Sequence, residues 1–127
     1  MPIKNPELLP LFEELKKLLA PYASSFTVKE PEPGRYELWS TANTAPPGKP
    51  FYNPYFVGLI IQKSYVGLYY MPIYTDPDIS SQIGSALMAL LKGKSCFYVK
   101  SLSPELREQI CDALETGLEL YKSKGWV

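Results

Sequence analysis

The chain has 127 residues, of which 46% are hydrophobic and 20% charged, so its composition predicts one packed domain over residues 1–127 rather than a disordered chain. Lysine plus arginine equals aspartate plus glutamate at 13 each. This balance supplies no global field to attract nucleic acid or an anionic membrane, so neither is expected as a partner.

The sequence also lacks the signals of export. No run approaches the roughly 20 apolar residues that a membrane-spanning helix needs, and the first residues lack the hydrophobic region of a signal peptide. Cys96 and Cys111 fall in different predicted elements without metal or redox spacing, so no disulfide is expected. These features predict a cytoplasmic protein.

Three helix starts share one pattern in which a capping side chain is followed by proline, an acidic residue and an aliphatic residue. The capping positions are Asn5, Asp76 and Ser103. Proline suits the first helical position, and a carboxylate is favourable near the positive end of the helix dipole. The pattern therefore predicts three helices.

Apolar spacing predicts how far each helix extends. The first helix has a one-sided stripe over residues 8–22, and Pro10 is expected to kink or restart its first turn. The second is predicted to bury positions between residues 79 and 90 and to end at Gly93. The third carries its apolar stripe as far as Tyr121 and is predicted to end before Gly125 and Trp126.

Five strands are predicted between these helices, at residues 26–29, 35–40, 55–62, 65–71 and 94–100. The element order is therefore α-β-β-β-β-α-β-α. It predicts an α+β domain of two layers, in which a mainly antiparallel five-stranded sheet carries three helices packed on one face.

A tight turn at Lys63 and Ser64 would pair Gln62 with Tyr65 and set the register of the central hairpin. One sheet face would then hold only aliphatic side chains and Tyr70, and it should meet the helices. The turn lacks the asparagine or glycine that such turns prefer, and a slip of one residue would exchange the faces. The opposite face would hold Phe56, Gly58, Ile60, Gln62, Tyr65, Gly67, Tyr69 and Met71.

In this register Gly58 faces Tyr69 and Gly67 faces Ile60, so each glycine is expected to leave a dip walled by aromatic rings. An aromatic face that no helix covers is a candidate binding site for a small molecule or a protein partner. Ordinary packing is the alternative, with residues 41–54 or a second copy of the chain, as in a homodimer, covering this face. The candidate ligand-binding residues are Trp39, Lys63, Tyr65, Tyr69, Lys94, Cys96 and Tyr98.

The sequence lacks the residues that most catalytic mechanisms require. The chain has no histidine, which removes serine–histidine and cysteine–histidine pairs, and it has no complete phosphate-binding loop. No catalytic residue is assigned, and a non-enzymatic binding domain is the leading expectation. Cys96 is the one possible nucleophile, because an ammonium group at Lys94 would lower the pKa of its thiol; a half-buried strand cysteine is the alternative.

Three stretches of the chain resemble the YdhG-like family of uncharacterised bacterial domains. They are VGLIIQKSYVGLYYMPIY (residues 57–74), LKGKSCFYVKSL (residues 91–102) and YKSKGWV (residues 121–127). The resemblance implies a small fold similar to that of frataxin. It also suggests iron as a cofactor in a chaperone role, in which first-helix carboxylates such as Glu7, Glu13 and Glu14 would bind iron weakly.

Overall fold

The computed structural model describes residues 6–42, 47–49 and 54–127. Within them, an open antiparallel sheet of six strands packs against helices, which confirms the α+β class. The strands are β1 (Thr27–Lys29), β2 (Arg35–Trp39), β3 (Tyr55–Ile61), β4 (Val66–Tyr70), β5 (Leu91–Lys92) and β6 (Cys96–Val99), in the spatial order β1-β2-β3-β4-β6-β5. The helices are α1 (Leu9–Leu19), α2 (Met71–Thr75), α3 (Ser85–Met88) and α4 (Pro104–Ser123). None of these helices is long and apolar enough to cross a membrane.

The first and last predicted helices are present. A 3₁₀ turn over Pro6–Leu8 precedes α1, and Pro10 occupies its first turn, as expected of a proline that restarts a helix. The Ser103 hydroxyl oxygen caps α4 by accepting a hydrogen bond from the Leu106 N–H at 3.0 Å. Asn5, the cap predicted for the first helix, lies outside the described residues.

The second predicted helix is wrong in extent. Asp76 does accept a hydrogen bond from the Asp78 N–H, but it begins a 3₁₀ helix over Pro77–Gln82. Ile83 is then extended, with φ −97° and ψ 134°, so the helical hydrogen bonding stops there before α3 begins. The apolar spacing was misleading because the buried aliphatic side chains of both short pieces face the same core.

The prediction of five strands is also wrong, because β5 adds a sixth. Gly93 does not end a helix; it has φ +71° in the turn between β5 and β6, where a side chain would be strained. A strand of two residues is too short to show alternation in the sequence, which is why this one was missed.

The predicted register of the central hairpin is confirmed. The Gln62 N–H donates to the Tyr65 carbonyl at 2.9 Å. Gly58 lies opposite Tyr69, and Gly67 lies opposite Ile60. The aliphatic side chains of β3 and β4 therefore face the helices, as the alternation predicted.

Helix α4 packs closely across this aliphatic face. The Tyr70 hydroxyl donates to the Ala113 carbonyl at 2.5 Å, joining β4 to the helix. A methyl group at Gly117 would lie 2.7 Å from Pro72 Cγ and 3.2 Å from Phe56 Cε1, so the absence of a side chain there permits the close approach. Glycine thus sets the distance between helix and sheet.

Phe56 was predicted on the face away from the helices, and this is wrong. Trp39 pairs with Tyr55 whereas Leu38 pairs with Val57, so Phe56 is the extra residue of a β-bulge. Its side chain is fully buried on the helix side and stacks on Phe26 at 4.3 Å between ring centroids. The bulge also turns the Tyr55 side chain toward the opposite face.

Candidate functional site

The outer face is the side of the sheet that points away from the helices. Side chains on this face form two rows across the strands, because directly paired residues share a face. One row contains Glu37, Gly58, Tyr69, Cys96 and Lys92, and the next contains Arg35, Ile60, Gly67 and Tyr98.

Tyrosines occupy the centre of the outer face, over β4 and β6. The rings of Tyr65 and Tyr98 are stacked, with centroids 3.8 Å apart and an interplanar angle of 11°. The neighbouring hydroxyl group of Tyr98 raises the pKa of Tyr65 to about 12. The Gln62 amide donates to the Tyr69 hydroxyl at 3.2 Å, and burial raises the pKa of Tyr69. Raised pKa values keep Tyr65 and Tyr69 as neutral phenols near pH 7, suited to stacking and hydrogen bonding rather than to charge.

The expected dips at the two glycines are filled. A methyl group at Gly58 would overlap the Tyr55 hydroxyl oxygen and lie 2.7 Å from Tyr55 Cζ, because that ring crosses the glycine. A methyl group at Gly67 would lie 3.0 Å from Tyr69 Cε2 and 3.4 Å from Cys96 Sγ. The glycines therefore make room for the Tyr55 and Tyr69 rings, and they do not form pockets.

Trp39 belongs to a separate cluster at the β1–β3 end of the outer face. Its ring stacks on Tyr55 at 4.7 Å, and Lys29 Nζ lies 4.5 Å from the ring centroid. Glu37 is buried although it points outward, since its two oxygens accept hydrogen bonds from Trp39 Nε1 at 3.0 Å and Arg35 Nε at 2.6 Å. These contacts hold Trp39 in place and occupy the Glu37 carboxylate.

Lys63 and Lys94 are exposed in turns at opposite ends of β4. Lys63 is in the turn just before Val66, whereas Lys94 is in the turn whose Ser95 carbonyl accepts from the Tyr70 N–H. Val66 and Tyr70 are four residues apart, which corresponds to about 13 Å along a strand. The two lysines are therefore anchored at opposite ends of the strand rather than side by side.

The environment of Cys96 does not favour a nucleophile. Its thiol is half-buried on the outer face, and burial raises its pKa. Lys94 lies in the turn before β6 and not on the strand beside the thiol. A raised pKa means a smaller thiolate fraction at neutral pH, the opposite of what thiol catalysis requires.

We expect the raised pKa of the Cys96 thiol to be visible in alkylation kinetics. In a Cys111→Ser variant, which leaves Cys96 as the single thiol, the rate of iodoacetamide alkylation should rise with pH through a midpoint above 8.5, the pKa of an unperturbed cysteine. Free cysteine in the same buffers is the control. A midpoint below 8 would restore Cys96 as a candidate nucleophile.

The acidic residues proposed for iron are dispersed along the first helix and its approach. Glu7 lies in the turn before α1, and Glu13 and Glu14 are exposed on α1. Glu14 accepts a hydrogen bond from Arg107 at 3.1 Å. In the part of the chain that the structure describes, no group of three or more histidine, cysteine or acidic side chains is placed to hold a metal ion.

Of the residues predicted for the site, the fold brings four together, namely Tyr65, Tyr69, Cys96 and Tyr98. Trp39 stacks instead on Tyr55, and Lys63 and Lys94 are in turns at opposite ends of β4. Residues 41–54, the predicted cover of this face, fall mostly outside the described residues. Comparison with protein-family models found no match, and comparisons with curated proteins and with solved structures found none either.

Proposed function

We propose that this protein is a non-enzymatic binding domain, located in the cytoplasm, that uses the outer face over β4 and β6 to bind a small ligand. The observation that carries the proposal is the sidedness of the sheet. The helices pack on the aliphatic face, whereas the stacked pair Tyr65 and Tyr98 lies on the opposite face with Tyr69 and Cys96 beside it.

A small ligand suits this surface better than a protein partner does. The four side chains are half-buried rather than fully exposed, so the area they offer is small. Stable protein interfaces bury about 800 Å² on each partner and depend on large anchoring side chains in pockets. A second copy of the chain, or another protein, is therefore the less favoured occupant.

Membership of the YdhG-like family is part of this proposal. Two of the three stretches that resemble that family, residues 57–74 and 91–102, include most of β3 and all of β4, β5 and β6. The iron-chaperone role suggested by the same resemblance gains no support from the carboxylate positions described above. Titration calorimetry with ferrous iron under anaerobic conditions tests that role separately.

The proposal predicts that Tyr69→Ala weakens ligand binding without unfolding the protein. A panel of small aromatic compounds of negative, neutral and positive charge would be titrated into ¹⁵N-labelled protein while amide shifts are followed. We expect at least one compound to give saturable shifts in β4 and β6, and Tyr69→Ala to weaken that binding at least about fivefold. The loss should be this large because a stacked aromatic contact contributes roughly 1–3 kcal/mol.

Tyr74→Ala is the matched control, because Tyr74 is 56% exposed on α2 and lies outside the outer face. It should leave binding unchanged. Loss of cooperative folding in Tyr69→Ala would show instead that this ring belongs to the core. Absence of saturable shifts for every compound would contradict the proposed function.

A further inference from the structure

We propose that a groove beside Tyr98, at the β5–β6 edge of the sheet, binds the acidic group of a small aromatic acid, that is, a carboxylate or phosphate attached to a flat ring. The inference rests on the proposed function and names the class of ligand for that same face. The groove has a volume of about 360 Å³, which falls within the range of small-molecule sites.

The groove has an apolar wall and a cationic rim. Its wall is built from α3, the residues that follow it and the first turn of α4; its apolar members are Ala86, Ala89, Leu90 and Leu106. The small alanine side chains leave room at the surface, while Leu106 is buried and fixed by the core. This wall suits the flat, apolar part of a ligand.

Tyr98 joins the groove to the aromatic face. It lines the groove and also stacks on Tyr65 at 3.8 Å. Because the Tyr98 ring packs face to face on Tyr65, with an interplanar angle of 11°, the stack restricts its orientation. A ligand ring seated in the groove would thus extend an existing aromatic stack, and offset stacking of this kind is favourable.

Lys92 and Lys100 supply the positive charge at the rim of the groove. Lys92 shares the outer face with its strand partner Cys96, and Lys100 follows the buried Val99, so alternation directs it outward as well. Within the described residues neither lysine forms an ion pair, since the four salt bridges found there involve other cations. Both ammonium groups are therefore available to an anion.

Hydroxyl donors lie beside the two lysines. Ser101 and Ser103 line the same groove. The Ser103 oxygen already accepts a hydrogen bond from the Leu106 N–H, so its own proton can be donated toward a ligand oxygen. Ammonium and hydroxyl donors around one small volume suit an oxyanion rather than a cation.

The distribution of acidic residues makes this region locally positive although the whole chain is neutral. Residues 38–104 contain five lysines and only two acidic residues, Asp76 and Asp78. Residues 105–127, which include most of α4, contain five acidic residues and three basic ones. Glu105, the acid nearest the groove in sequence, is engaged along the helix by Gln109 Nε2 at 3.3 Å. The groove lysines therefore lie in a part of the chain that is rich in lysine and poor in acidic residues.

Amide shifts in ¹⁵N-labelled full-length protein test the inference, with four probes: phenyl phosphate, benzoate, inorganic phosphate and the neutral benzyl alcohol. We expect saturable shifts from phenyl phosphate or benzoate at residues 86–92 and 98–106, weakened by added salt because the lysines are exposed. Inorganic phosphate and benzyl alcohol should each bind at least fivefold more weakly, since each lacks one half of the ligand.

The double variant Lys92→Gln/Lys100→Gln should weaken binding of the aromatic acid about tenfold, as expected for two exposed charge contacts. The variant Lys17→Gln/Lys122→Gln removes the same charge from exposed helix positions and should leave it unchanged. Equal binding by benzyl alcohol, or no effect of the groove variant, would overturn the inference but leave the proposed function standing. Failure of every aromatic compound would overturn both.

Discussion

Phe56→Ala is expected to lower the free energy of unfolding by about 3–5 kcal/mol, as measured by urea denaturation, because it empties a fully buried aromatic site. The ring stacks on Phe26 at 4.3 Å and lies 5.1 Å from the Tyr121 ring, so several neighbours lose contacts at once. Strict strand alternation places the same residue on the outer face, where truncation would cost far less.

Tyr69→Ala is the matched comparison for that substitution, because it removes an aromatic ring from the outer face. It should cost about 1–2 kcal/mol, within the ordinary range for a partly exposed position. Phe56→Leu provides a milder variant if the alanine protein does not fold. Equal costs for Phe56→Ala and Tyr69→Ala would contradict the bulge and return Phe56 to the outer face.

The β-bulge has an identifiable stabilising contact in α4. The Tyr121 hydroxyl donates to the Tyr55 carbonyl at 2.5 Å, immediately before the extra residue. A buried carbonyl without a partner would cost about 1–3 kcal/mol, so this contact helps to hold the strand in its bulged form. Helix α4 thereby determines which way two consecutive aromatic residues point.

Gly58→Ala should destabilise the protein by about 2–3 kcal/mol, the upper part of the range for overpacking. The added methyl group would overlap the Tyr55 hydroxyl oxygen, and the ring cannot easily move aside because it stacks on Trp39 at 4.7 Å. The sign of this change in stability is informative, since alanine in a strand interior is normally more favourable than glycine by roughly 0.5–1 kcal/mol. Urea denaturation measures the change.

A double-mutant cycle with Tyr55→Ala tests whether overlap with the Tyr55 ring causes the destabilisation by Gly58→Ala. Once the ring is removed, Gly58→Ala should become neutral or slightly stabilising, so the coupling between the two substitutions should be about 2–3 kcal/mol. If the two effects simply add, the Tyr55 ring does not lie over Gly58. The filled surface described for the outer face would then be wrong.

Local chemistry was sufficient to predict the elements whose signals lie close together in the sequence. Ser103 caps α4 as its spacing indicated, and the pairing of Gln62 with Tyr65 follows from alternation on both sides of a short turn. The stretch after Asp76 was harder, because aliphatic residues at helical spacing also suit two short helices that share one core. The extended backbone at Ile83 has no local signal strong enough to predict it.

The groove proposed for an acidic ligand also could not be predicted from the sequence, because it has no local signal. Lys92 and Lys100 are visible as charges in the sequence, but they flank a hairpin, and only the pairing of β5 with β6 brings them to one groove. The walls come from α3 and the first turn of α4, which are separated along the chain. A site assembled from four elements has no contiguous motif that would identify it.

The sequence by itself determined the α+β class, the register of the central hairpin and the face that meets the helices, since each depends on the period of neighbouring side chains. Only the tertiary structure decided that Phe56 turns inward and that Tyr55 covers Gly58. The physical reason is that a bulge adds one residue to one strand, and its energy depends on contacts with Phe26 and Tyr121, which lie far away along the chain.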